Sequence, residues 1–180
     1  MKATGMVRRI DDLGRIVIPK EIRRTMRIRE GDPLEIFTDK DGELIFKKYS
    51  PIGELADFAA QICESLKKST ECIAAVCDRD NIIAIAGGAK KELFEKPVSG
   101  ALNKLMESRE TFSASADASG VAVTDENEKY AASVASPIIS QGDVMGCVLF
   151  VKPSGSAKSG EVEEKLARTV AAFLGKQMEN

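Results

Sequence analysis

Gly14-Arg15-Ile16-Val17-Ile18-Pro19-Lys20-Glu21-Ile22-Arg23-Arg24-Thr25-Met26 is the stretch on which the fold turns. Arg15–Ile18 is short and β-branched and reads as a strand. Pro19 stops it and suits the first position of a helix. Lys20–Met26 then reads as a short helix, with Ile22 and Met26 four residues apart on one face. Upstream, Asp11-Asp12-Leu13-Gly14 is turn chemistry, and Thr4–Ile10 alternates loosely enough for another strand. Downstream, Gly31-Asp32-Pro33 breaks the chain. Leu34–Thr38 and Glu43–Lys48 read as two more strands around Asp39-Lys40-Asp41-Gly42, whose Asp-Gly pair signals a hairpin. Four short strands within residues 1–50 bury too little apolar surface to stand alone, and their open edges invite pairing. Two interleaved copies of the segment are the expected solution.

The charge divides the chain at the same place. Residues 1–50 hold 12 Lys/Arg against 9 Asp/Glu, whereas residues 51–180 hold 14 against 19, so a net +3 faces a net −5. Within residues 1–29 the count is 9 basic against 3 acidic, and most of the basic residues are Arg. The guanidinium fork pairs bidentately with phosphate or guanine, which Lys cannot do. A basic block on an acidic chain therefore predicts a polyanion-binding segment joined to a second module.

Residues 51–68 read as an amphipathic helix. Ser50-Pro51 opens it with a cap and a first-position proline. Ile52, Leu55, Phe58, Ala59, Ile62 and Leu66 recur at three- and four-residue steps. It is predicted to link the two parts, to mediate self-association, or to pack with the second domain. Residues 69–180 alternate strands and helices. Cys72–Asp78 and Asn81–Ala86 flank a hairpin-like turn, Lys90–Glu95 and Val98–Glu107 are helical, and Thr111–Ala116 and Val121–Thr124 are weak strands. Tyr130–Ile139 and Val144–Val151 are stronger strands around Ser140-Gln141-Gly142-Asp143, and Gly155–Gly160 is a loop. A closing helix from Glu161 to Met178 has an acidic first turn and one apolar face through Val162, Leu166, Val170, Phe173 and Leu174. This order predicts an α+β domain with one antiparallel sheet and flanking helices.

Several chemistries are excluded or disfavoured. Histidine is absent, so there is no Ser-His or Cys-His nucleophile pair and no histidine-containing zinc site. Cys63, Cys72, Cys77 and Cys147 form no C-x-x-C pair and read as small core hydrophobes. Gly87-Gly88-Ala89-Lys90-Lys91 lacks phosphate-loop spacing, and Asp78/Asp80 and Glu163/Glu164 read as turn and helix-start residues. No enzyme, metal site or cofactor is expected. No apolar run approaches the roughly 20 residues of a membrane span, and no signal-like segment stands at the N-terminus. The expected location is the cytoplasm, with no membrane partner.

Residues 1–26, above all Gly14–Pro19 followed by Glu21-Ile22-Arg23-Arg24, resemble the DNA-binding segment of the AbrB family of transition-state regulators. The α+β second part resembles the GAF domain of the two-domain sporulation regulators in that family. The resemblance implies a swapped-hairpin dimeric barrel over residues 1–50, an amphipathic linker or oligomerisation helix over 51–68, and a GAF-like domain over 69–180. It implies double-stranded DNA as partner, contacted through Arg8, Arg15, Arg23 and Arg24, with Arg9 and Lys2 secondary. It further implies a transcription regulator of endospore formation that is a homodimer through residues 1–50 and a homotetramer through helices of the second domain. That domain would sense an unidentified small ligand, or would only oligomerise. An antitoxin of the same N-terminal fold is the competing reading. With few base-edge readers beyond arginine, a loose sequence consensus set by DNA shape is expected.

Overall fold

The computed structural model describes residues 5–114, 120–156 and 160–179. The chain divides into two compact units, residues 1–49 and 50–180.

The first unit is built from one short helix and one hairpin. α1 (Lys20–Thr25) follows Pro19 directly, and its last turn closes with the Met26 amide donating to the Ile22 carbonyl at 2.8 Å. β1 (Leu34–Thr38) and β2 (Leu44–Lys48) pair antiparallel from Leu34↔Lys48 to Thr38↔Leu44. The Asp39 carboxylate ties their turn by accepting from the amides of Asp41 and Glu43. Two expected strands do not form. Gly5–Ile10 and Arg15–Ile18 carry no ladder in the single chain, and Thr4 lies outside the described residues. A strand exists only against a partner, and here the one hairpin is already paired with itself. No described residue of this unit is buried.

The second unit is a three-layer sandwich. α2 (Pro51–Glu54) and α3 (Ala56–Thr70) stand where one helix was expected. Ser50 caps α2 by accepting from the Gly53 amide at 3.2 Å, and the chain breaks at Leu55 just after that poor helix former. β3 (Ile73–Asp78), β4 (Ile82–Ala86), β5 (Phe112–Ser113), β6 (Val121–Ala122), β7 (Tyr130–Ser140) and β8 (Asp143–Pro153) form one antiparallel sheet in the order β4-β3-β8-β7-β5, with β6 also on β7. α4 (Lys90–Leu93), α5 (Gly100–Ser108) and α6 (Glu161–Gln177) complete it. The two weak strands shrink to two residues each, and Ser115 and Ala116 of the first lie outside the described residues, as do Ala157–Ser159 of the polar loop.

Alternation along the strands divides the core. Ala74, Val76, Val148 and Phe150 face α3 and α6, while Ala75, Cys77, Cys147 and Leu149 face α4 and α5. With both faces covered, β3 and β8 lose the polar alternation of a half-wet sheet and read as continuous apolar runs. α6 lies so close to β7 that a Cβ on Gly175 would run into the Ile139 carbonyl oxygen. The core face of α6 is therefore Ala167, Ala171, Leu174 and Gly175, all buried. The expected apolar face was drawn too wide. Val162 and Phe173 are 61% and 45% exposed, because small residues rather than large ones permit the close approach. Phe173 meets Phe58 of α3 instead, ring centroids 6.0 Å apart. Among the described residues no helix is long and apolar enough to cross a membrane.

Candidate nucleic-acid interface

The predicted arginines all lie in the first unit, on three successive pieces of it. Arg8 and Arg9 sit on the extended arm, Arg15 at the end of the turn, and Arg23 and Arg24 in the last turn of α1. All five are exposed, and no ion pair is found for Arg8, Arg9, Arg23 or Arg24 among the described residues. Lys2 lies outside the described residues.

The turn that presents Arg15 is strongly tied. The Gly14 amide donates to the Asp11 carbonyl and the Asp11 amide to the Arg15 carbonyl, each at 3.0 Å. Gly14 takes φ +75°, which a side chain would resist. The Asp11 carboxylate accepts from the amides of Leu13 and Arg15 and from Arg15 Nε at 2.8 Å. These contacts, the Arg15 amide first and its guanidinium next, hold the Asp11 carboxyl below its usual value. Asp11 therefore stays ionised and orients the guanidinium, whose side chain remains 68% exposed. The guanidinium is thus held in one direction with most of its surface in water.

Below α1 the chain folds back on itself. The Ile28 amide donates to the Arg23 carbonyl at 2.7 Å, and Arg27 takes φ +52°. Lys48 Nζ on β2 donates to the Arg27 carbonyl at 2.9 Å and lies 3.9 Å from the Asp32 carboxylate. Hairpin and helix are thereby joined, which fixes where Arg23 and Arg24 stand relative to the hairpin.

The same unit exposes much apolar surface. Met6, Val7, Ile10, Leu13, Ile16, Val17, Met26, Ile36, Leu44, Phe46 and Tyr49 are all exposed, Val7 at 88% and Val17 at 73%. A soluble unit rarely leaves so many large apolar side chains in water.

Residues 54–179 match the family described as stage V sporulation protein T C-terminal, transcription factor. Stage V sporulation protein T of Bacillus subtilis (strain 168) is 50% identical over 179 residues, 99% of each chain. The chain belongs to the stage V sporulation protein T family. The family is one of transcription factors rather than enzymes. Its N-terminal part is AbrB-like: the transition state regulatory protein AbrB of the same organism is 52% identical over 63 residues, 32% of this chain and 65% of that one. Residues 7–54 also match the family described as antidote-toxin recognition MazE, bacterial antitoxin. The second unit has the GAF fold. The GAF domain of a phosphoenolpyruvate-protein phosphotransferase from Coxiella burnetii matches with a TM-score of 0.52 at 19% identity, over 69% of this chain and 82% of that one.

Two sets of residues were not legible as sites in the sequence. For the exposed apolar set of the first unit, the sequence carries only a general demand for a second copy and does not say which side chains are bare. A polar cleft around Thr124 in the second unit draws on residues more than thirty positions apart, and no local motif announces it.

Proposed function

We propose that the protein is a DNA-binding transcription regulator of sporulation whose first unit pairs with a second copy and grips duplex DNA through Arg8, Arg15, Arg23 and Arg24. Arg9 and Lys2 add charge beside them. The observation that carries the reading is the combination in one unit of exposed arginines, Arg15 among them oriented by Asp11, with eleven exposed large apolar side chains and no buried residue among those described. The apolar set needs a second chain, and the two laddered strands fold only half of the expected barrel. A second copy laying its own Gly5–Ile10 and Arg15–Ile18 segments against the first supplies both ladder partners and core. It also doubles the arginines to eight.

The likeness to AbrB supports DNA as the anion. Arginines spread over an arm, a turn and a helix end favour the phosphate backbone and groove shape over strict base readout. The second unit joins two such dimers through α3 and α6, where Phe58, Val162 and Phe173 are exposed on adjoining helices. It also senses a small molecule.

The match of residues 7–54 to the MazE antitoxins favours a second reading. The α+β unit that follows stands against it, because antitoxin tails are short and fold on binding a toxin.

The test is fluorescence anisotropy of labelled duplex with the full chain and with Arg15→Ala and Arg23→Ala, each checked by light scattering for an unchanged assembly. Salt-sensitive binding that both variants weaken is the expected result. Binding unchanged by either substitution would remove the arginine assignment, and capture of a toxin in place of DNA would establish the second reading.

A further inference from the structure

Glu92, Lys96, Thr124, Glu126, Asn127 and Lys129 line a cleft of about 340 Å³ in the second unit. α4 supplies Glu92, the turn after it Lys96, and the β6–β7 loop the rest. That volume lies at the small end of ligand sites, which run from about 300 to 1,000 Å³. Its walls are tied from several sides. The Ser99 amide donates to the Val123 carbonyl at 2.9 Å, and the Gly100 amide to the Asp125 carboxylate at 3.3 Å. The Lys129 amide donates to Asn127 Oδ1 at 2.9 Å, and the Ser154 amide to the Lys129 carbonyl at 2.9 Å.

Two residues that line this cleft each bury a polar atom without a hydrogen-bond partner among the described residues, Thr124 Oγ1 and Glu92 Oε2. Thr124 as a whole is 2% exposed. Leaving a buried polar atom unpaired is costly, and folded proteins pair the great majority of such atoms. Two of them at one cleft mark a demand for a donor that the chain itself does not meet. The carboxylate oxygen can only accept, and the hydroxyl accepts equally well. An ammonium group, with three donors and a positive charge, is the chemistry that suits both acceptors. On the same cleft, Lys96 and Lys129 offer positive charge to an anionic group. Lys96 is held only by a loose ion pair to Glu126, 3.9 Å long and largely exposed, which costs little to give up. The two lysines also oppose a bare divalent cation at the carboxylates.

We propose that this cleft binds a small zwitterion of the amino-acid class, its ammonium group on Glu92 and Thr124 and its carboxylate towards Lys96 and Lys129. The effect on DNA binding rests on the sensing reading given above, whereas the binding itself rests on the cleft.

The experiment titrates the full-length protein calorimetrically with a panel of common α-amino acids. L-Alaninamide, L-lactate, Mg²⁺ and Ca²⁺ serve as comparison probes. At least one amino acid saturates and raises the melting temperature, while the amide, which lacks the carboxylate, and the hydroxy acid, which lacks the ammonium, do not bind. Thr124→Val leaves the melting temperature of the unliganded protein unchanged or higher, because it removes an unpartnered hydroxyl. It and Glu92→Gln weaken the amino acid by about tenfold or more. No saturation by any amino acid would overturn the proposal, as would binding indifferent to both variants or saturation by a divalent cation at the same site. DNA affinity is then measured with and without the amino acid that binds. A change supports sensing, and no change overturns the sensing reading while the zwitterion site stands.

Discussion

Replacing Arg15 by alanine tests the interface most directly, because its effect is written in the salt dependence rather than in affinity alone. Each dimer presents eight guanidinium groups at Arg8, Arg15, Arg23 and Arg24. If each meets one phosphate, log K falls against log salt with a slope of about −7, at roughly −0.9 per contact. Arg15→Ala removes two contacts, one per chain, so the slope becomes about −5. Between 50 and 200 mM salt the unaltered protein then loses about four decades of affinity and the variant about three. The two curves converge by about one decade as salt rises. The fold should survive, since Arg15 is exposed and its turn keeps the Gly14–Asp11 backbone bond and the Asp11–Leu13 contact. Anisotropy titrations of one labelled duplex at five salt concentrations give the slopes, and light scattering confirms the assembly. Parallel lines would refute the reasoning. Arg15 would then touch no phosphate, and its orientation by Asp11 would serve only the turn.

Three further outcomes are expected. Phe173→Glu places a charge on the exposed aromatic pair between α3 and α6, and light scattering should show the mass of four chains falling to that of two with the far-UV spectrum unchanged. Gly175→Ala drives a methyl group into the Ile139 carbonyl and should cost about 1–3 kcal/mol in denaturant unfolding, as overpacking does. Glu163 is pushed up by burial but held below its usual value by its own amide, the Lys152 ammonium at 3.5 Å and the Cys72 thiol. A carboxyl lowered on folding adds stability above its unfolded value, and that stability is lost as pH falls through its folded one. Glu163→Gln should therefore lower the melting temperature at pH 7, and the gap to the unaltered protein should close below about pH 4.

The second unit was legible because its sequence pattern and its packing agree within one chain. Apolar runs at β3 and β8, turn residues between them and a Ser cap at α5 each meet their partners inside the unit, so local signals sum to the fold. The misreadings there concern size rather than type. The expected face of α6 runs through Val162, Leu166, Val170, Phe173 and Leu174, yet of these only Leu174 is fully buried, and the helix packs through it together with Ala167, Ala171 and Gly175. Periodicity registers hydrophobicity and not how near a strand backbone lies. Val162 and Phe173 then fall on the outer side, while Leu166 and Val170 still pack partly against the core.

In the first unit the disagreement runs deeper and is more informative. Arg15-Ile16-Val17-Ile18 has strand composition, and in one chain it forms no ladder and leaves Val17 73% exposed. Composition expresses what a segment does once paired, and hydrogen-bond pairing is a property of the assembly that contains it. An apolar strand former left bare beside the turn that orients Arg15 is surface that a second copy would cover, as proposed above. The cations that would meet DNA belong to that same unfinished unit. If the proposed dimer is the form that grips DNA, assembly and DNA binding are thermodynamically linked: duplex that spans both copies must tighten dimerisation by the factor through which dimerisation tightens DNA binding.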